Sequence, residues 1–180
     1  VRGCLFLSAQ NKQTVGDIVK PLRELGIPAA AVVDVDVWKE GGAVWLKAMN
    51  GAFVPAISHP SCQVERKSIL DAMAATKMDM KRGGGIAILD AAGREACVTL
   101  LNRLGEYGMF VVPGGELESW LKNVHVGGHG PSWLIPMFEK LGEDPAAVDY
   151  VRPAQGDVWD FIGRINQWIG KPDRHGIPAA

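Results

Sequence analysis

Two short acidic segments carry the chemistry available to this sequence. One is Ala31-Val32-Val33-Asp34-Val35-Asp36, and the other is Val111-Val112-Pro113-Gly114-Gly115-Glu116-Leu117-Glu118. Alternate residues of an extended strand face the same way, which puts Asp34 and Asp36 on one side, about 7 Å apart along the chain. Two such carboxylates repel unless a cation or a proton lies between them. Hard oxygen donors of this kind suit Mg2+ or Mn2+. In the second segment the Gly pair permits a tight turn from strand to helix. That turn sets Glu116 and Glu118 near a helix N-terminus, where the dipole favours negative charge. Each feature has a plainer reading: Asp34 as a turn residue or helix cap, Glu116 as an ordinary first-turn acid. Their joint occurrence at the ends of two apolar runs favours a shared site, because ligands of parallel α/β sheets bind outside the carboxyl ends of the strands.

The elements that position these acids follow from hydrophobic patterning. Residues 28–33 form a nearly continuous apolar run, the pattern of a strand buried on both faces of a parallel sheet. Before it come a candidate strand at 4–8, a polar turn at 11–13 and helical spacing over 15–25 through Ile18, Val19, Leu22 and Leu25. Thr14 can cap that helix and Gly26 ends it, while Pro21 inside it predicts a kink or a late start. Strand, helix and buried strand make a βαβ unit. Further helices are expected at 43–49, at 63–77 through Ile69, Leu70 and Met73, and at 93–107 through Cys97, Leu100, Leu101 and Leu104. Residues 55–60 read as a break, 81–85 as a Gly-rich basic loop, and 109–112 as a second buried strand. Helices are expected to open at 116–122, to run over 131–141, and to finish at 158–169 behind Asp157 as a cap. The fold class is therefore α/β over residues 1–123, with a helical part at 124–180 packed on it.

Composition narrows the partners. The chain has 180 residues, 47% of them hydrophobic and 22% charged, enough for a sizeable core. Its net charge is -1, so it has no global basic field for nucleic acid or membrane. DNA binding would need a local patch, a metal or a partner domain. Cys4, Cys62 and Cys97 form no CxxC pair. Cys4 and Cys97, in apolar surroundings, read as buried hydrophobes. No apolar run reaches the roughly 18 residues of a membrane span. The start Val1-Arg2-Gly3 has no signal-peptide pattern, so a cytoplasmic protein is expected. The start also lacks Met, which suggests a fragment, a processed chain or a non-standard start codon.

The run from Leu25 through Gly26-Ile27-Pro28 to Asp34-Val35-Asp36 resembles the DxD strand of a Toprim domain. The run from Tyr107-Gly108 through Pro113-Gly114-Gly115-Glu116-Leu117-Glu118 to Ser119-Trp120-Leu121 resembles the later acidic segment of OLD-family endonucleases, in which Toprim follows an ABC-type ATPase. The likeness extends from Asn11-Lys12-Gln13 to Asp157-Val158-Trp159-Asp160-Phe161. It implies a Rossmann-like, mostly parallel sheet flanked by helices. It also implies two-metal hydrolysis of a phosphodiester bond with Mg2+ or Mn2+, DNA as substrate and an ATPase domain or partner. Asp34 and Asp36 match the family's DxD ligands. Glu118 matches the later glutamate best and Glu116 second, giving Asp34, Asp36 and Glu118 catalytic roles and all four acids metal contacts. The sequence departs from the family at one point. Toprim domains open on a strand ending in glutamate, whereas residues 4–8 end in Ser8-Ala9-Gln10. The isolated chain is therefore expected to bind metal weakly and to cut DNA poorly or not at all.

Substrate contacts are expected from Lys81 and Arg82 in the basic loop, from Lys122 after the acidic turn (with Lys140 as its rival) and from His129. The loop is not GxxxxGK[ST] and so is no nucleotide P-loop. His125 and His129 are four apart, but Val-Gly-Gly lies between them and no HExxH is present, so zinc is disfavoured. The tryptophans, Trp120, Trp133, Trp159 and Trp168 among them, fit core packing better than base stacking. Two other functions remain open. In a phosphatase like the haloacid dehalogenase group, Asp34 would be the nucleophile and Asp36 the general acid/base. A strand at 4–8 counts against it, since those enzymes place DxD after their first strand. In the other, the chain is a non-catalytic remnant that docks on an ATPase. Homo-oligomerisation is left open.

Overall fold

Residues 109–112 are apolar without exception, and their alternation divides the molecule into two cores. In the computed structural model, which describes residues 4–116, 118, 124–128, 131–152 and 156–178, strand β2 covers Met109–Val111. Met109 and Val111 point into one core, and Phe110 and Val112 into the other. Parallel to β2 lies β1, Ala31–Val33, in the register Ala31–Met109, Val32–Phe110, Val33–Val111. Among the described residues these two strands are the whole sheet, so the fold is mixed α/β and mostly helical.

The first core is built by α1 (Val15–Glu24), α2 (Gly42–Gly51), α3 (His59–Ala75) and α4 (Ala91–Glu106). Helices α1 and α2 cross closely at Gly16 and Gly51, where a Cβ on Gly51 would stand 2.7 Å from the Cα of Gly16. Trp38, Trp45, Met49, Met73, Leu100 and Leu104 fill the centre. The second core lies under α5 (Pro131–Leu141) and α6 (Asp157–Gly170), with Trp133, Met137, Phe161 and Trp168 packed around Phe110 and Val112. Phe161 and Trp168 meet the Phe110 ring edge-on at 6.1 and 6.5 Å. Trp133 and Trp168 are thus core residues, while Trp120 lies outside the described residues. Among the described residues no helix is long and apolar enough to cross a membrane.

Several expected boundaries move for identifiable reasons. Pro21 sits inside α1 without ending it. α3 begins at His59 rather than residue 63, because Pro60 falls in the first turn, where a missing N–H costs nothing. α4 begins at Ala91 because the Asp90 carboxylate accepts a hydrogen bond from Gly93 N at 2.8 Å. At α6 the cap position is Gly156, one residue before Asp157. β1 is not buried on both faces: Ala31 and Val33 are buried but Val32 is half exposed, since α6 covers its register partner Phe110 and not Val32 itself. The expected strand at 4–8 does not form. Leu5, Phe6 and Leu7 lie exposed, outside both cores, and Cys4 with them. An apolar run without a partner edge has nothing to satisfy its backbone as a strand. The opening helix at 116–122 falls largely outside the described residues.

Arg23, fully buried in the last turn of α1, ties the two cores together. Its guanidinium donates to the carbonyls of Ala29 (2.9 Å), Ala52 (2.9 Å), Tyr107 (2.7 Å), Gly176 (3.1 Å) and Gly108 (3.2 Å). It also lies 4.9 Å from the centre of the Trp168 ring. Burial without a carboxylate partner among the described residues pushes its pKa down to about 10.

Two outcomes follow. Arg23→Met strands several buried carbonyls and is expected to lower unfolding free energy by about 3–5 kcal/mol, read by urea denaturation. A loss below about 1 kcal/mol would mean that those carbonyls find other donors. For the cysteines, burial raises the Cys97 thiol to about 12, and Cys62 is also buried. Iodoacetamide followed by mass spectrometry is expected to label Cys4 alone in the native protein, and all of them after unfolding. Native labelling of Cys97 would contradict the packing described.

Candidate functional site

β1 ends at Val33, and the chain then turns at once. Asp34 has extended backbone angles, and Val35–Lys39 is a 3-10 turn. Residues three apart eclipse one another in such a turn, so Val35 and Trp38 enter the core together, both without exposure. Buried Arg66 of α3 donates to the Trp38 carbonyl and fixes the end of the turn. Asp36 is therefore not on the strand as its spacing suggested; it sits in the first turn of the 3-10 segment. Asp34 occupies the cap position of that turn, yet its side chain makes no cap bond. The plain cap reading of its carboxylate does not hold.

Both carboxylates nevertheless converge on one cation. The Lys81 ammonium lies 3.0 Å from Asp34 Oδ2 and 3.4 Å from Asp36 Oδ2. A second ammonium, Lys12, lies 3.0 Å from Asp36 Oδ2 and 3.0 Å from Glu40 Oε1, and donates to the Asp36 carbonyl at 3.3 Å. Three carboxylates against two ammonium groups leave one net negative charge in this cluster. Asp36, shared by both lysines, is more sheltered than Asp34, at 19% against 44% side-chain exposure. Partial burial opposes the charge on Lys81, but the hydrogen bonds and charges of Asp34 and Asp36 outweigh it and raise its pKa. Lys12 is raised in the same way, with Asp36 and Glu40 overcoming burial.

Backbone contacts place the loop that carries Lys81. The Asp79 carboxylate accepts from Lys81 N at 2.9 Å and Arg82 N at 2.8 Å, an Asx turn. Gly85 N then bonds the Met80 carbonyl, and Ile86 N the Pro113 carbonyl, each at 2.9 Å. The Gly115 carbonyl accepts from Val35 N at 3.3 Å. The three segments 34–36, 79–86 and 113–116 are thus stitched to one another through main-chain atoms. Gly85 (φ +62°) and Gly115 (φ +106°) are glycine because a Cβ on the first would overlap the Pro113 carbonyl, and on the second the Lys81 carbonyl.

Glu116 follows directly on this junction, and Glu118 lies two residues on; both are partly buried. Arg82 is exposed beside the cluster and takes no part in its ion pairs. Lys122 and His129 lie outside the described residues. Lys140 is exposed at the end of α5. The other histidines have separate surroundings: His59 bonds the Val54 carbonyl at 2.8 Å, His175 stacks near Tyr107, and His125 is exposed. The sequence pattern missed Lys12 and Glu40. Lys12 reads as part of a polar turn, nothing in the pattern singles out Glu40, and no spacing rule links either to Asp36.

Two oxygens aimed at one point fit a single hard divalent ion, with water completing its shell. Among the described residues no group of three His, Cys, Asp or Glu side chains is arranged to hold a metal. Any ion entering between Asp34 and Asp36 has to replace the Lys81 ammonium. No protein-family model, curated protein or solved structure matches the chain.

Gly85→Ala is expected to cost about 2–4 kcal/mol, because it combines a left-handed backbone with a collision against main-chain atoms. Gly84, with φ +97° and only the Ala87 Cβ within 4 Å of an added Cβ, provides the control. Gly84→Ala is expected to cost about 1 kcal/mol, for backbone conformation alone. Thermal denaturation of the pair gives the comparison. Equal losses would show that the junction of 79–86 with 113–116 contributes nothing.

Proposed function

We propose that the chain is a Toprim-like, metal-dependent nuclease domain that hydrolyses phosphodiester bonds in DNA and works with an ABC-type ATPase. The observation that carries this reading is the convergence of Asp34 and Asp36 on one cation position at the carboxyl end of β1, where the backbone also brings the Gly115–Glu116 turn. Resemblance of both acidic runs to those of OLD-family nucleases adds the substrate class and the ATPase. A Rossmann-like sheet belongs to the same proposal.

Asp34 and Asp36 would hold Mg2+ or Mn2+, with Glu116 or Glu118 of the neighbouring turn as a further ligand. The ion supplies a water of lowered pKa and neutralises charge on the phosphate. The chain's own residues do the rest. Lys12 and Glu40 fix the position of Asp36. Arg66 holds the 3-10 turn through Trp38. Exposed Arg82 can meet a backbone phosphate.

The Lys81–Asp34 contact also favours a second reading, a phosphatase of the haloacid dehalogenase type with Asp34 as nucleophile, since such enzymes need a lysine at that carboxylate. With residues 4–8 not forming a strand, the objection that DxD should follow the first strand no longer applies. Against it, both lysines crowd Asp36 Oδ2, where the oxygen of a leaving group would have to meet a general acid.

Titration calorimetry is expected to show weak binding of Mg2+ and Mn2+ that Asp34→Ala removes. Plasmid nicking with Mn2+ is expected to be slow and to fall about 100-fold, or below detection, in Asp34→Ala and Asp36→Ala. Metal binding that survives Asp34→Ala sinks the site. Turnover of p-nitrophenyl phosphate that depends on Asp34, without nicking, establishes the phosphatase instead.

A further inference from the structure

We infer that Lys81 is an exchangeable counter-ion: it fills the cation position between Asp34 and Asp36 in the metal-free protein, yields it to a divalent ion, and then binds the phosphate of the substrate. This inference rests on the nuclease reading above and names the step by which that site opens.

The two lysines of the cluster are not equivalent. An ammonium has three donors. Lys12 meets the Asp36 carboxylate, the Asp36 carbonyl and the Glu40 carboxylate, so all three have partners. Among the described residues Lys81 meets only the two aspartate oxygens, and it is the more exposed, at 33% against 24%. Its main chain is pinned by Asp79 and by close packing against Gly115, while four side-chain torsions stay free to move the ammonium. The fixed end of Lys81 is at the junction and the mobile end is at the acids.

Exchange is favoured by charge. At equal distance a divalent ion is attracted to two carboxylates about twice as strongly as an ammonium. Without either cation Lys12, shared by Asp36 and Glu40, would be the one ammonium left in the cluster and Asp34 would lose its partner, so an empty site needs Lys81 where it is. Once displaced, the ammonium remains within the length of one side chain from the ion. A phosphodiester bound there presents an anionic oxygen, and lysine recognises phosphate as a point charge. The same residue thus offsets part of the site's negative charge without metal and contributes to substrate binding with it.

Calorimetry with Mg2+ and Mn2+ on the wild type, Lys81→Met, Lys81→Arg and Lys12→Met tests the exchange. Lys81→Met is expected to bind metal about tenfold more tightly than wild type. Lys81→Arg keeps the charge and the fold but grips two carboxylates in a fork, so it is expected to bind metal more weakly. Lys12→Met is expected to gain less than Lys81→Met. Fluorescence anisotropy with a short phosphorothioate DNA duplex gives a second readout. The loss of affinity in Lys81→Met relative to wild type is expected to be several-fold larger with Mg2+ than without it. Unchanged metal affinity in both Lys81 variants, with binding still dependent on Asp34, overturns the exchange and leaves the nuclease reading standing. Equal tightening by Lys12→Met and Lys81→Met also overturns it, because that marks a general field effect. Absence of Asp34-dependent metal binding in every variant removes the nuclease reading and the inference with it.

Discussion

The guanidinium of Arg23 sets the start of both strands. Of the carbonyls it holds, Ala29 lies just before β1, and Tyr107 and Gly108 lie just before β2. Gly108 also accepts from Ala31 N at 2.8 Å, so the sheet begins where the arginine holds it. Ala52 at the end of α2 and Gly176 near the C-terminus join the same centre. A buried charge is costly when unpaired, and here carbonyl dipoles and the Trp168 face replace its water. The strands are short, so an error at their start would carry straight through to their ends. The acids of the site follow those ends, so the placement of Asp34 and Glu116 depends on a cation at the opposite end of the strands.

At the acidic end the cations act differently. Lys12 and Lys81 are partly exposed and make contacts that bulk water and salt can screen, so each pair contributes little to stability. Their effect is on geometry. Asp34 and Asp36 repel each other, and the ammonium between them offsets that repulsion where the 3-10 turn brings their side chains together. Arg23 and Lys81 thus divide two tasks: one holds backbone through bonds to carbonyls from each of its three nitrogens, and the other holds side chains through more exposed contacts.

How much of this could be read from the sequence depends on the range of the interaction. The strand ending at Asp34 and the strand at 109–112 were legible because continuous apolar runs report burial locally. Most helices were legible for the same reason, with errors at their starts where a single cap or proline decides. Residues 4–8 misled because an apolar run signals a strand only if a partner edge exists, which is a property of the tertiary fold. The pairing of the acids was anticipated, but by the wrong route: strand alternation was invoked where a 3-10 turn does the work. Lys81 was recognised as a basic loop residue, though its contact with Asp34 spans 47 positions and has no sequence signature. Lys12 and Glu40 escaped notice because a lysine and a glutamate in polar surroundings look alike whether solvated or paired.

Charge alone does not assemble the site, and the glycines show why. If the lysines drew the segments together, the loop at 79–86 could reach the acids by many routes, with any small residue at its turns. Instead Gly85 and Gly115 meet so closely that a single methyl group on either would strike main-chain atoms of the other segment. Main-chain hydrogen bonds run from Ile86 to Pro113 and from Val35 to Gly115 across the same junction. These contacts are short-ranged, indifferent to salt and made by main-chain atoms alone, without the Lys81 side chain. The backbone therefore fixes where the ammonium originates, and electrostatics decides only where it points. A site organised in that order keeps its shape when its cation changes, which the proposed exchange of Lys81 for a divalent ion requires.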